Sequence, residues 1–338
     1  MTKRYGGLFA ATFSEEGLYQ AFLSARRDKR KTRACLHFSA RLGREIADLQ
    51  RELFAGEYRP RPYRELWVAV PKPRQILAPH FRDVVVQHAM YRTLYPIFNR
   101  TFIHTSFACR VGKGTHAASD YVYRALQEAD PDAYTLHLDV RRYFQSVDQA
   151  VLQRLLAARI KDQRMLAVMY QFCSSGGGQG IPLGNLLSQL YALVYLSPVD
   201  HYAKRVLGLR RYARYVDDMI IVGLRTREAA LGIKLAIEAY LAERLHLGLS
   251  KWSMRRVRDG VNFVGYRTWP THRLIRKFSL QKFRRAVRRR KDDTAWSIIA
   301  HAQHTSSTKT MRAVALADPD FVRSLPESHQ RRLGLCCQ

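Results

Sequence analysis

Acidic residues are scarce in this 338-residue chain: 28 Asp and Glu stand against 57 Lys and Arg, a formal charge of +29. That imbalance points to a polyanionic partner, nucleic acid ahead of an anionic membrane surface. Cysteine is scarce too. The five, Cys35, Cys109, Cys173, Cys336 and Cys337, form no CxxC pair. Zinc spacing is therefore absent, and an odd, scattered count suits a reducing compartment. No apolar run approaches the length of a membrane span. The N-terminal MTKRYGGLFAATFSEEGL lacks a proper apolar signal core and cleavage site ahead of Glu15 and Glu16. The expectation is a soluble, cytoplasmic protein. Internal repeats and low-complexity linkers are missing as well. A hydrophobic content of 47% is enough to bury a core and excludes a disordered basic tail.

What is present reads as alternating helices and short strands. Residues 15–60 carry helical patterning, with a basic cluster, ARRDKRKTR (25–33), and an amphipathic stretch ending at Gly56. Residues 61–79 predict two short strands around a Pro-Lys-Pro turn, and 81–98 a helix. YTLHLDV (134–140) predicts an apolar strand ending in an acid, and 147–173 is helical. GGGQGIPLGNLLSQL (176–190) is a glycine-rich loop running into a helix of about 185–206, apolar on every side and so expected in a core. RRYARYVDDMIIVGL (210–224) predicts strand, two-residue turn, strand. One long amphipathic helix is expected over 227–249, and a further strand pair in GVNFVGYRTWP. Residues 273–291 hold ten Lys or Arg and no acid, and the last 45 or so residues are weakly patterned. The order implies an α+β fold, an antiparallel sheet with helices on one face.

Asp217 and Asp218 sit at the hairpin tip, where Asp pairs are common for backbone reasons alone. Asp139 changes the balance. It ends an apolar strand, where a carboxylate needs compensation. Divalent cations shared among three acids would supply it, and hard carboxylate oxygens suit Mg²⁺. Two ions about 3.5–4 Å apart clamp the attacking and leaving oxygens of a phosphoryl displacement.

At these residues the chain resembles a reverse transcriptase. YVDD (215–218) with LHLDVRRYFQSVD (136–148) resembles the palm, VPKPRQILAPHFRDVVVQHAM (70–90) the fingers, and FVGY (263–266) the primer-gripping strands. The resemblance covers about 60–270 and implies a right-hand polymerase fold: fingers, a palm with an antiparallel sheet, and a helical thumb. It implies an N-terminal region and fingers over 1–130, a palm over 131–270 with about 150–185 contributing to the fingers, and a basic thumb and tail over 271–338. It also implies RNA-directed DNA synthesis with two Mg²⁺ ions, Mn²⁺ being a possible substitute, on an RNA template with dNTPs and an RNA–DNA duplex. Carried over residue by residue, Asp139 and Asp217 are the principal metal ligands, Asp218 assists, and the Val140 carbonyl completes one site. Lys72 and Arg74 match residues that hold the incoming triphosphate, and Phe144 a bulky residue under the sugar that selects dNTPs. Arg110, in SFACRVGKGTHAA, resembles another fingers motif. Lys113 and His116 beside it suit phosphate contact or an ordinary surface equally, and Lys251 falls near a position proposed to protonate the leaving pyrophosphate.

One motif departs from the family. Most members show Gln-Gly, three residues, then Ser-Pro. Gln179-Gly180 has the wrong spacing and reads as a decoy within the loop. Gly184 has the right spacing, so Leu183 replaces the usual Gln and Gln189 the usual Pro. This pattern resembles the reverse transcriptases of diversity-generating retroelements, bacterial or phage-encoded relatives of group II intron enzymes. Those copy a template-repeat RNA with errors opposite adenine, to diversify a target gene, and work with a basic oligomeric accessory variability protein. Residues 25–33 would meet the structured RNA or that accessory protein. RKFSLQKFRRAVRRRK (276–291) would follow the duplex backbone as part of the thumb. An accurate bacterial reverse transcriptase of another class, or an idle RNA-binding scaffold, are the competing readings.

Overall fold

A computed structural model describes residues 3–68, 73–174 and 178–335. The chain forms two compact units. The first comprises residues up to His104, Val140–Val206 and Ile237–Ser250; the second comprises Thr105–Asp139, Leu207–Ala236 and the chain from Lys251.

In chain order the elements begin with α1 (Phe9–Thr12), α2 (Glu15–Ala25), α3 (Arg33–Ala40), α4 (Leu42–Ala55), β1 (Arg64–Val68), β2 (Arg74–Ala78) and α5 (Phe81–Asn99). Next come α6 (Thr115–Gln127), β3 (Tyr134–Val140), α7 (Tyr143–Ser146), α8 (Gln149–Ala157), α9 (Gln163–Gln171) and α10 (Leu186–His201), which runs into a π-helical turn, Tyr202–Val206. After it lie β4 (Tyr212–Tyr215), β5 (Asp218–Leu224), α11 (Arg227–Leu245), β6 (Leu249–Arg256), β7 (Val261–Phe263), β8 (Tyr266–Thr268) and β9 (Arg273–Ile275). The C-terminal helices are α12 (Lys277–Arg288), α13 (Asp292–Ala302), α14 (Ser307–Leu316), α15 (Pro319–Ser324) and α16 (Glu327–Leu333).

In the first unit α2 packs on α5, and Phe22 stacks on Phe38 with ring centroids 5.5 Å apart. α10 packs against α5 and α8, and as its all-round apolar sequence implies, it is buried along most of its length. β1 and β2 form an antiparallel hairpin.

The second unit holds a four-stranded sheet in the order β4-β5-β3-β6. Its central strand β5 has four consecutive buried residues, Met219–Val222. A sheet covered on one face would alternate, so both faces are covered and the one-faced expectation is corrected. Ala213, Ile220 and Val222 pack with Val122, Leu126 and Phe263 in one cluster.

Three further expectations change. The helix expected to reach 249 ends at Leu245. His246 turns left-handed (φ 50°), Leu247 N–H bonds the Leu241 carbonyl, and the chain resumes as β6. The expected strand pair forms, as β7 and β8, but β9 from the basic run beyond it joins them in a three-stranded antiparallel sheet. The weakly patterned C-terminus is helical, closing a core of Phe283, Ile299, Met311 and Phe321. No helix among the described residues is long and apolar enough to cross a membrane.

Candidate active site

Strand register brings two of the three acids together. Asp139, near the end of β3, lies directly opposite Asp218, the first residue of β5. Directly opposed residues share a sheet face. Asp217 precedes Asp218 in the two-residue turn closing β4 and β5. All three are half-buried rather than fully buried. Val140, the last residue of β3, continues the strand past Asp139, with its side chain buried.

The turn is under strain. Val216 has φ 57°, a conformation β-branched residues rarely adopt. Arg214, fully buried, counters it by donating from Nη1 to the Val216 carbonyl at 2.7 Å. Arg214 is itself fixed through its backbone, donating to the Thr105 carbonyl and accepting from Phe107 N–H. His137, two residues before Asp139 and so on the same strand face, contacts the Asp218 carboxylate through Nε2. Sequence reading passed over both residues. The signals were an arginine inside a buried strand, RYARYVDD, and the His-x-Asp spacing in LHLDV.

Carboxylates at the ends of the two central strands are the hard-oxygen donors a divalent cation takes, so residue type and placement fit Mg²⁺ or Mn²⁺. The side chains do not close around a point: among the described residues no three His, Cys, Asp or Glu are gathered tightly enough to hold an ion. Asp218 is turned to His137.

Arg110 belongs to the same unit as these acids. It sits in the loop before α6 and donates to the Ser106 carbonyl at 2.8 Å. Lys113 lies over the Phe107 ring at 5.4 Å. His116 meets the Tyr266 hydroxyl at 3.1 Å, and its ring stands edge-on to His304. Burial, and then the neighbouring His304, lower its pKa. Lys251 is an exposed residue of β6, inside a strand and not after a helix end.

The remaining candidates lie in the first unit. Lys72 falls outside the described residues, as do Gly176 and Gly177. Arg74 opens β2, exposed, opposite Val68. Phe144 is half-buried on α7, and its carbonyl accepts Ile181 N–H at 2.8 Å. Gln179-Gly180, read as a decoy, is structurally engaged. Gln179 bridges Asp148, and Gly180 (φ 87°) donates to the Val147 carbonyl.

Leu183 accepts Leu77 N–H at its carbonyl, 2.8 Å, tying the loop to β2. Gly184 follows at φ 113°. A Cβ there would come within 2.5 Å of Ile76 Cγ2 and 3.2 Å of the Leu77 carbonyl. Gln189 is exposed on α10, and Ser188 is buried. Asn185 is buried in a polar clamp that sequence reading also missed: Gln87 donates to its Oδ1, it donates to the Tyr63 hydroxyl, and Gln87 Oε1 caps Leu186 N–H at the start of α10.

Residues 70–268, more than half of the sequence, match the family described as reverse transcriptase (RNA-dependent DNA polymerase). The chain belongs to the reverse transcriptase family. Its α+β architecture is the right-hand polymerase fold of that family. Protein YkfC of Escherichia coli K12 is 26% identical over 286 residues, 71% of this chain and 74% of that protein. The group II intron-encoded protein LtrA of Lactococcus lactis subsp. cremoris is 27% identical over 170 residues, 47% of this chain but only 28% of that longer protein. Among solved structures, apo telomerase from Candida tropicalis superposes with a TM-score of 0.47 at 13% identity, covering 63% of this chain and 55% of that one.

Proposed function

We propose that this reverse transcriptase copies a template-repeat RNA into cDNA for a diversity-generating retroelement, with errors concentrated opposite adenine. The observation carrying this reading is Leu183 in place of the usual Gln, beside a glycine that admits no side chain. An aliphatic group there withdraws hydrogen bonds from the nucleotide's surroundings and leaves shape alone to judge the pair. Gln189 in place of Pro adds a side-chain amide.

In this proposal Asp139 and Asp217, assisted by Asp218 and the Val140 carbonyl, hold two Mg²⁺ ions. When bound, these supply Lewis-acid stabilisation of the transferring phosphoryl group. Arg214 holds the strained turn so that Asp217 stays placed, and His137 orients Asp218. Lys72, Arg74 and Arg110 would meet triphosphate oxygens, and Phe144 the sugar. A structured RNA and a basic oligomeric accessory protein complete the assembly. The thumb would be the basic α12 with its neighbours, which suits sequence-blind contact with a duplex backbone.

The test is to sequence cDNA made by the protein, with its neighbouring RNA and accessory protein, on a template holding all four bases. Errors gathered opposite adenine, reduced in Leu183→Gln, are expected; faithful copying of adenine refutes the mutagenic role and leaves the polymerase. Loss of extension in Asp217→Ala separates an enzyme from an idle scaffold. The second reading is an accurate bacterial reverse transcriptase of another class, retron, antiviral or group II intron-like, and the same sequencing distinguishes it.

A further inference from the structure

The sheet that carries the acids has a second feature at its other end. β3 rises about 3.3 Å per residue, so Tyr134, five residues before Asp139, lies about 16 Å away along the strand. There Tyr134, Arg227, Trp252, Met254 and Arg255 line an open groove of about 630 Å³. β6 forms its wall as an edge strand. Trp252 leaves 47% of its surface exposed, on a strand whose residues 250–253 are all exposed. Cations surround the rings. The Lys234 ammonium stands 5.7 Å from the Trp252 ring, and the Arg256 guanidinium 5.5 Å from the Tyr134 ring. Arg256 is also drawn to Asp132. Asp259 is the one carboxylate among the lining residues, against three arginines.

An exposed indole and a phenol set among guanidinium groups form a stacking platform within a positive field. Bases of any identity can stack on the rings while phosphates meet the cations. A protein partner would call for a wider apolar face; on α11 the exposed large apolar residues are Leu231 and Leu235, neighbours one turn apart, with Lys234 beside them. We propose that this groove binds a single-stranded nucleic-acid segment separate from the strand being extended, with Trp252 as the base-stacking residue and Arg227 and Arg255 as phosphate contacts. Template RNA and displaced DNA share this chemistry, so both are probed.

The experiment uses the full chain saturated with a template–primer duplex. Binding of a fluorescent single-stranded 12-mer, RNA in one arm and DNA in the other, is followed by anisotropy. Trp252→Ala is expected to weaken 12-mer binding about tenfold or more, while Trp252→Phe stays close to wild type and primer extension on a short duplex is unchanged in both. Arg227→Ala with Arg255→Ala is expected to flatten the salt dependence by about 0.7 for each phosphate that is no longer neutralised. The better-bound 12-mer identifies the source. Unchanged binding in Trp252→Ala overturns the proposal. So does displacement of the 12-mer by the duplex, or an equal loss in Trp252→Phe accompanied by loss of extension, which marks a structural tryptophan. Loss of extension in wild type would instead count against the polymerase reading, which this test does not need.

Discussion

Gly184→Ala is the substitution whose consequence the geometry fixes most tightly. Two costs combine. The backbone at φ 113° is one that residues with a Cβ rarely adopt, and holding one there costs about 1–3 kcal/mol. The new methyl would also stand 2.5 Å from Ile76 Cγ2 and 3.2 Å from the Leu77 carbonyl. Overpacking of that kind costs about 1–3 kcal/mol. The β1–β2 hairpin is largely exposed and can tilt away, although tilting strains the Leu77 N–H to Leu183 bond at 2.8 Å. A net loss of about 2–4 kcal/mol follows. Each kcal/mol is worth about 2–4 °C in a domain of this size class, so Tm falls by several degrees. Urea unfolding of wild type, Gly184→Ala, Ile76→Ala and the double variant separates the two costs. Ile76→Ala removes the methyl overlap but not the backbone strain, so it should restore about 1–2 kcal/mol in the Gly184→Ala background, a clear departure from additivity. A Gly184→Ala protein within about 0.5 kcal/mol of wild type, or a loss that Ile76→Ala leaves untouched, refutes the close approach as the reason for this glycine.

Three further outcomes are expected. Phe144→Ala should admit ribonucleotides into product; single-nucleotide incorporation that still rejects rNTPs removes Phe144 from sugar selection. Arg214→Met leaves the carbonyl of the half-buried Val216 without its 2.7 Å donor. It should cost about 1–3 kcal/mol and lower kcat more than the KM for dNTP; steady-state kinetics with normal kcat would show that Asp217 needs no such support. The Asp148 carboxyl is held below the ordinary range, first by its hydrogen bond with His246 and then by backbone N–H groups at the start of α8. A lowered folded pKa gives stability that is whole above the unfolded value near about 4 and is lost as pH falls through the folded one. Asp148→Ala should therefore cost about 1–2 kcal/mol near pH 7, with the gap to wild type closing on acidification; a gap constant down to pH 2 would show that the charge plays no part.

The parts of the site legible in the sequence are those with local signals. The β4–β5 turn, the acid ending β3 and the glycine turn before α10 follow from alternation, turn residues and spacing within a dozen positions. What escaped is settled by distant partners. β6 reads SKWSMRR, whose only apolar residues are Trp252 and Met254, because an edge strand places charge where a central one places apolar residues. β9 is three residues inside a basic run and exists only through pairing with β8. The C-terminal helices fill much of their core with alanine, Ala295, Ala302 and Ala315, which dilutes the apolar period. Arg214 and His137 are polar residues on buried strands, and their roles depend on a turn carbonyl and a carboxylate that chain order does not place beside them.

The two glycine turns in the loop before α10 have different neighbours, and this bears on what Leu183 can do. The first, at Gly180, docks the loop on the segment holding Phe144, through Gly180 N–H to Val147 and Ile181 N–H to Phe144. The second, at Gly184, docks it on β2. Only Ile181, Pro182 and Leu183 lie between, and the Leu183 carbonyl is itself taken by Leu77. Past Gly184, Asn185 is fixed by Gln87 and Tyr63. With its backbone held at both ends, position 183 can exchange one side chain for another without redirecting the loop. Under the role proposed for Leu183 at the nucleotide, the choice of Leu or Gln there changes the side chain's chemistry while the backbone hydrogen bonds that hold the loop stay as they are.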